Sequence, residues 1–159
     1  MTALNLGDIE KLANTALVAH GHATIASVAA SNCAWLEAVG YPGLKLLAEA
    51  LGDENTSLDI KRDVLGIDLE NVSCVFIGAA VAGEVENNGR AFLRNVRHGL
   101  YLVPRSVGQN YGIGCPVDPS FALGGERSKN PYAEKLAAAA IAGVAVDDVV
   151  IAELTKAKP

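Results

Sequence analysis

Aromatic residues make up only 5% of this 159-residue chain, with one Trp, four Tyr and three Phe. A core assembled without them has to come from Ala, Val, Leu and Ile, which pack closely but bury little area each. Cysteine is also scarce. Cys33, Cys74 and Cys115 are an odd number without framework spacing, which excludes a disulfide scaffold. Cys33 and Cys74 lie in apolar runs and read as buried thiols, which fits a reducing cytoplasm. No run is long enough for a membrane helix. The longest, VSCVFIGAAVAG (Val72 to Gly83), falls well short of the roughly 20 residues a bilayer needs. The first residues show neither the basic nor the apolar region of a signal peptide.

What is present is half hydrophobic, enough for a substantial core, and the length fits one domain. Burying so many small residues favours homo-oligomers. The net charge of −5 argues against nucleic acid as a partner. That charge is uneven. Arg90 to Lys135 holds seven bases and three acids, a net +4, which leaves −9 for the remainder. A basic segment on an acidic protein is either a solvated surface or a pocket for a small anion.

Glycines punctuate the first third. LGDIEKLANTALVAHG carries Ile9, Leu12, Ala13, Ala16 and Leu17 at helical spacing, with Gly21 as its stop. HATIASVAASNCAWLEAVG predicts a second helix with Ile25, Val28, Ala29, Cys33 and Leu36 inward, ended by Gly40. After the YPG turn, GLKLLAEALGD predicts a short third helix, so helices occupy about residues 6–52. A polar loop follows. VSCVFIGAAVAGEVE then reads as a buried strand, Asn87-Asn88-Gly89 as a hairpin turn, and RAFLRNVRHGLYLVP as the returning strand, a β-hairpin region of about 72–104. A loop and C-terminal helices fill about 105–157. The expected fold is α+β: an N-terminal helical layer on a small antiparallel sheet, with a C-terminal helix.

The stretch GGERSKNPYAEKL (Gly124 to Leu136) is unusually polar for this chain. Asn130 and Pro131 fit an N-cap and first helical residue. The dipole and open N–H groups of that turn favour an anion, and Arg127 and Lys129 stand beside them. Tyr132 and Lys135, three apart, share a helix face. The same charges also fit a capped helix whose loop pairs internally. The stretch has neither the Walker A order nor a Rossmann fingerprint.

In NVRHGLYLVPRS, His98 lies near Arg97 and Arg105. Neighbouring cations disfavour its proton, which suits a general base; a hydrogen-bonded strand histidine is the plainer alternative. Cys115 in GCPVDP is loop-borne and would need His98 to activate it. His20 and His22 have no third metal ligand at suitable spacing, and Trp35 suits a core anchor.

The pattern LGDIEKLANTALVAHG, AASNCAWLEAVGYPGL, NVRHGLYLVP and GVAVDD resembles the bacterial proteins grouped as domain of unknown function DUF3726, a likeness that implies no mechanism. The N-terminal helices also resemble those of the malate/L-lactate dehydrogenase family with a non-Rossmann NAD fold. Tyr41-Pro42 stands where that family has the Ser-His of its catalytic motif, so the resemblance implies no dehydrogenase activity here.

These observations converge on a small anionic metabolite as ligand. Arg97, Arg105, Arg127, Lys129 and Tyr132 would bind it, with His98 or Lys135 handling protons. Arginine forks suit a carboxylate. The alternative is a non-catalytic oligomeric subunit whose basic residues make inter-subunit salt bridges. The sequence leaves any cofactor unknown, and no metal, nucleic acid or membrane partner is implied.

Overall fold

A computed structural model describes residues 1–88, 90–107, 112–114, 123–124 and 132–156, the side chains of Arg90 and Ala91 and of both short stretches excepted. The chain divides into two compact units. Unit 1 is Met1–Gly52 with Pro131–Pro159, and unit 2 is the intervening Asp53–Asn130. The class is α+β.

Unit 1 begins with strand β1 (Thr2–Leu4) and helices α1 (Leu6–Ala19), α2 (Ala23–Ala38) and α3 (Gly43–Ala50). Unit 2 holds β2 (Lys61–Asp63), β3 (Gly66–Asp68), helix α4 (Cys74–Asn88), β4 (Arg90–Arg94), a 3-10 turn (Gly99–Leu102), the one-turn helix α5 (Val103–Ser106), β5 (Gly112–Gly114) and β6 (Leu123–Gly124). The chain returns to unit 1 with α6 (Ala133–Ala142), β7 (Val144–Val146) and α7 (Asp148–Thr155).

The three N-terminal helices form where their periodicity places them. Asn5 caps α1 by accepting the Asp8 N–H at 2.7 Å. Gly21 and Gly40, both with positive φ, follow α1 and α2. Ile9, Ala13, Ala16 and Leu17 of α1 meet Ala26, Ala29, Ala30, Cys33 and Leu36 of α2 in the buried core of the unit. Val28, expected inward, is 36% exposed, while Ala26, Ala29 and Ala30 beside it are buried. α6 packs on α2, and α7 packs on α1 and α3. β1 and β7 pair antiparallel, Thr2 opposite Val146. The segment after Gly143, read as helical, therefore starts as a strand. Asp147 then caps α7 by accepting the Val149 N–H.

Unit 2 departs most from expectation. Residues 74–88, expected to be the first arm of a β-hairpin, are helix α4. Asn87 and Asn88 end that helix instead of forming a hairpin turn, and Gly89 lies outside the described residues. The second arm is a strand only over Arg90–Arg94, after which the chain turns into the 3-10 turn and α5. The sheet is mixed, in the order β2-β3-β4-β5-β6. β2 pairs antiparallel with β3, while β3–β4 and β4–β5 are parallel. α4 supplies the parallel crossover between β3 and β4. Its Val75, Phe76, Ile77, Val81, Ala82 and Val85 are all buried, and it packs against β4 and the 3-10 turn.

Candidate functional site

Among the described residues of unit 2, a polar cluster forms where the start of α4 meets the chain after β4. Residues 69–74 run beside 94–97 and prolong the parallel pairing: Leu69 N–H donates to Arg94 O at 3.0 Å, Asn71 N–H to Asn95 O at 3.0 Å and Cys74 N–H to Arg97 O at 2.9 Å. Ser73 and Arg97 form a parallel bridge. Ser73 is the N-cap of α4. Its carbonyl takes the first helical bond from Ile77, and its Oγ accepts the Val75 N–H at 3.1 Å. The same Oγ lies 2.7 Å from Nδ1 of His98, and Ser73 is fully buried.

The backbone that delivers His98 is strained. Asn95 (φ 54°) and His98 (φ 56°) are both left-handed, as are Glu70 (φ 49°) and Asn71 (φ 61°) on the neighbouring turn. Asparagine enters this region readily, but a residue such as Glu70 costs up to about 1–2 kcal/mol there, so the surrounding contacts help fix this turn. His98 is thus a turn residue at the head of the 3-10 turn, not a strand-face histidine.

Arg97 beside it is held by an acid. Its Nε and Nη2 donate to the two carboxylate oxygens of Asp53 at 2.8 and 2.9 Å, a fork-on-carboxylate pair. Arg105, on α5, faces Glu86 at 3.8 Å, a distance too long for a hydrogen bond. Arg127 and Lys129 lie outside the described residues, as do Cys115 and the Asn130-Pro131 pair. The helix that follows starts at Ala133 with Tyr132 at its N-cap, so the expected cap at Asn130 is displaced toward the C-terminus.

Tyr132 and Lys135 belong to unit 1. Tyr132 packs edge-on against Trp35, centroids 4.9 Å apart, and its hydroxyl meets that of Tyr41 at 3.2 Å. Burial, reinforced by the bond to Tyr41, pushes its phenol up to about 12. A phenol so disposed is a neutral packing group near neutral pH and exchanges no proton there. Lys135 is exposed on α6. Nearby, Glu37 reaches from the last turn of α2 to accept the Leu44 N–H of α3 at 2.8 Å, and partial burial raises its carboxyl above the ordinary range. A shallow groove between α1 and α2, lined by Glu10, Lys11, Asn14 and Ser27 among others, carries one charge of each sign and so no bias toward an anion.

Comparison with protein-family models, with curated proteins and with solved structures found no match.

Of the residues singled out by sequence, the structure assembles Arg97 and His98 on one turn and adds two that the sequence reading missed, Ser73 and Asp53. Ser73 carried a signal: a serine directly before an apolar run is a helix N-cap. Asp53 carried none, since it precedes Arg97 by 44 residues. Among the described residues there is no group of three His, Cys, Asp or Glu placed to hold a metal. No helix among them is long and apolar enough to cross a membrane.

Proposed function

We propose that the protein binds a small anionic metabolite, bearing a carboxylate or phosphate, at the His98 turn of unit 2. One observation carries this reading: a part-buried imidazole tied through Nδ1 to the buried Ser73 hydroxyl, on a turn with left-handed backbone at Asn95 and His98. Strain of this kind persists where a side chain must be aimed, and it accumulates at ligand sites. Arg105 adds positive charge seven residues on. Arg127 and Lys129 remain part of the proposal as further cations. Arg97 holds Asp53 and so anchors the turn; it is withdrawn as the anion clamp. Lys135 and Tyr132, in the other unit, are not needed.

The test is a thermal-shift screen against small carboxylates, sugar acids, nucleotides and inorganic phosphate. A ligand that binds only the native state adds about 2.7 kcal/mol at one hundred times its Kd. A shift with one anion class, lost in His98→Ala and in Arg127→Ala, supports the site. A shift that survives both substitutions places the ligand elsewhere and ends the reading.

A second reading, an oligomeric subunit, draws on a separate observation. Val64 and Leu65, at the β2–β3 turn, are 101% and 64% exposed, and Phe92 on β4 is 50% exposed. These apolar residues in one unit fit burial by another copy. Sedimentation of wild type and Leu65→Lys decides it: an oligomer that the substitution dissociates supports the subunit reading. A cytoplasmic setting rests on Cys33 and Cys74, which are buried and form no disulfide among the described residues.

A further inference from the structure

The hydrogen-bond inventory at Ser73 fixes more than the position of His98. A hydroxyl has one proton to give and two lone pairs to receive. Ser73 Oγ already receives the Val75 N–H at 3.1 Å, and that bond belongs to the cap of α4. Its other neighbour is His98 Nδ1 at 2.7 Å. If Nδ1 carried a proton and donated it, the oxygen would receive twice. The hydroxyl proton would then be stranded at a residue with no solvent exposure. Among the described residues the hydroxyl has no acceptor except Nδ1. The arrangement closes only when Ser73 donates to Nδ1.

We propose that Ser73 is the positioning residue of the His98 turn and holds the imidazole as the neutral tautomer with its proton on Nε2, so that His98 acts as a hydrogen-bond donor. The atom that meets Nε2 is then an acceptor: a carboxylate, phosphate or carbonyl oxygen. A general-base role at Nε2, expected from the neighbouring arginines, is excluded in this tautomer, because the lone pair lies on Nδ1 and faces Ser73. The cap of α4 and the orientation of the ring are thereby one device. The consequence for the ligand rests on the anion-site reading above; the tautomer does not.

The experiment uses the full chain labelled with nitrogen-15, near pH 8, above the ordinary histidine pKa of about 6.5. Long-range proton–nitrogen spectra report which ring nitrogen is protonated. The chain has three histidines, so His98→Gln assigns the signal. The expected pattern is Nε2 protonated and Nδ1 bare, without the averaging of an untethered ring. A proton on Nδ1, or an averaged pattern, overturns the proposal. Ser73→Ala should move the ring toward averaging while circular dichroism keeps the helix content, and Ser73→Thr should restore the wild-type pattern. If Ser73→Ala does not fold, Ser73→Gly replaces it, since glycine is the better-tolerated cap. A folded variant without the hydroxyl whose ring pattern is unchanged removes Ser73 from the role. Adding inorganic phosphate and then succinate separates the two claims. A confirmed tautomer with no response to either sinks the anion site and leaves the positioning role standing.

Discussion

Replacing Glu37 separates two effects that one carboxylate combines in unit 1. Its Oε1 accepts the Leu44 N–H at 2.8 Å and so supplies the side-chain cap of α3, whose own N-cap position is a proline without such a bond. The same carboxyl is partly desolvated, and its pKa is raised for that reason. Glu37→Ala removes the acceptor and leaves an N–H unsatisfied at Leu44, which is 0% exposed. Loss of a cap costs about 1 kcal/mol and a stranded buried donor about 1–3 kcal/mol. Relief of the desolvated charge offsets part of this at neutral pH, so the net expectation is about 1–2 kcal/mol. In a unit of this size that lowers Tm by roughly 4–8 °C per kcal/mol. Glu37→Gln keeps an oxygen for Leu44 and removes the charge. A carboxyl raised in the native state binds more protons there than in the unfolded chain, so wild-type stability falls as pH climbs from the unfolded value of about 4.3 through the folded one. Glu37→Gln should therefore match wild type below pH 4 and equal or exceed it at pH 7. Urea denaturation at several pH values measures this. If Glu37→Gln loses more than about 1 kcal/mol at pH 7, or gains on wild type as pH falls, the account of this carboxyl is refuted.

Further outcomes follow from other contacts. Gly66 has φ 124°, and a Cβ there would stand 2.2 Å from the Phe92 carbonyl oxygen, so Gly66→Ala should cost at least about 2 kcal/mol in denaturant unfolding; a neutral result contradicts the β3–β4 packing. A double-mutant cycle on Asp53 and Arg97 should give a coupling of about 1–2 kcal/mol, moderated because the Arg97 side chain is 38% exposed. Coupling below about 0.3 kcal/mol would leave Arg97 available as an anion clamp after all. Tyr132 titrates near 12 against about 10 when unfolded, so stability should fall as pH rises between those values. Tyr132→Phe should flatten that fall and remove a phenolate step near 12 in alkaline absorbance; an unchanged titration curve contradicts the placement of the ring.

The helices of unit 1 were legible because their signals are local. Polar and apolar positions alternate at helical spacing in α1, and Gly21 and Gly40 stop α1 and α2 with φ values of 85° and 89°. The failure at Val72–Asn88 has a physical cause. A helix buried on nearly every side and a buried strand both present unbroken apolar sequence, so periodicity cannot separate them. The β-branched Val75, Ile77 and Val81 then tilted the reading toward strand. Length was the usable clue, since the apolar run from Val72 to Gly83 is already long for a strand. Asn88 illustrates the same trap at the turn: next to glycine it suggests a hairpin, whereas its side-chain amide donates to the Glu84 carbonyl at 2.9 Å within α4. At the site, His98 and Arg97 stood out as polar residues between apolar runs. What holds them did not: Ser73 reaches His98 only through the parallel crossover that the strand reading had missed, and Asp53 lies 44 residues before Arg97, ahead of β2.

The central claim is that the His98 turn receives an anion, and the most direct measurement follows the three histidine ring signals while inorganic phosphate, then succinate, is titrated into the labelled chain at constant ionic strength. The account predicts a saturable shift of the His98 signals with one of these anions, with His20 and His22 unmoved. Binding detected by thermal shift without movement of His98, or equal non-saturating drift of all three rings, would contradict it.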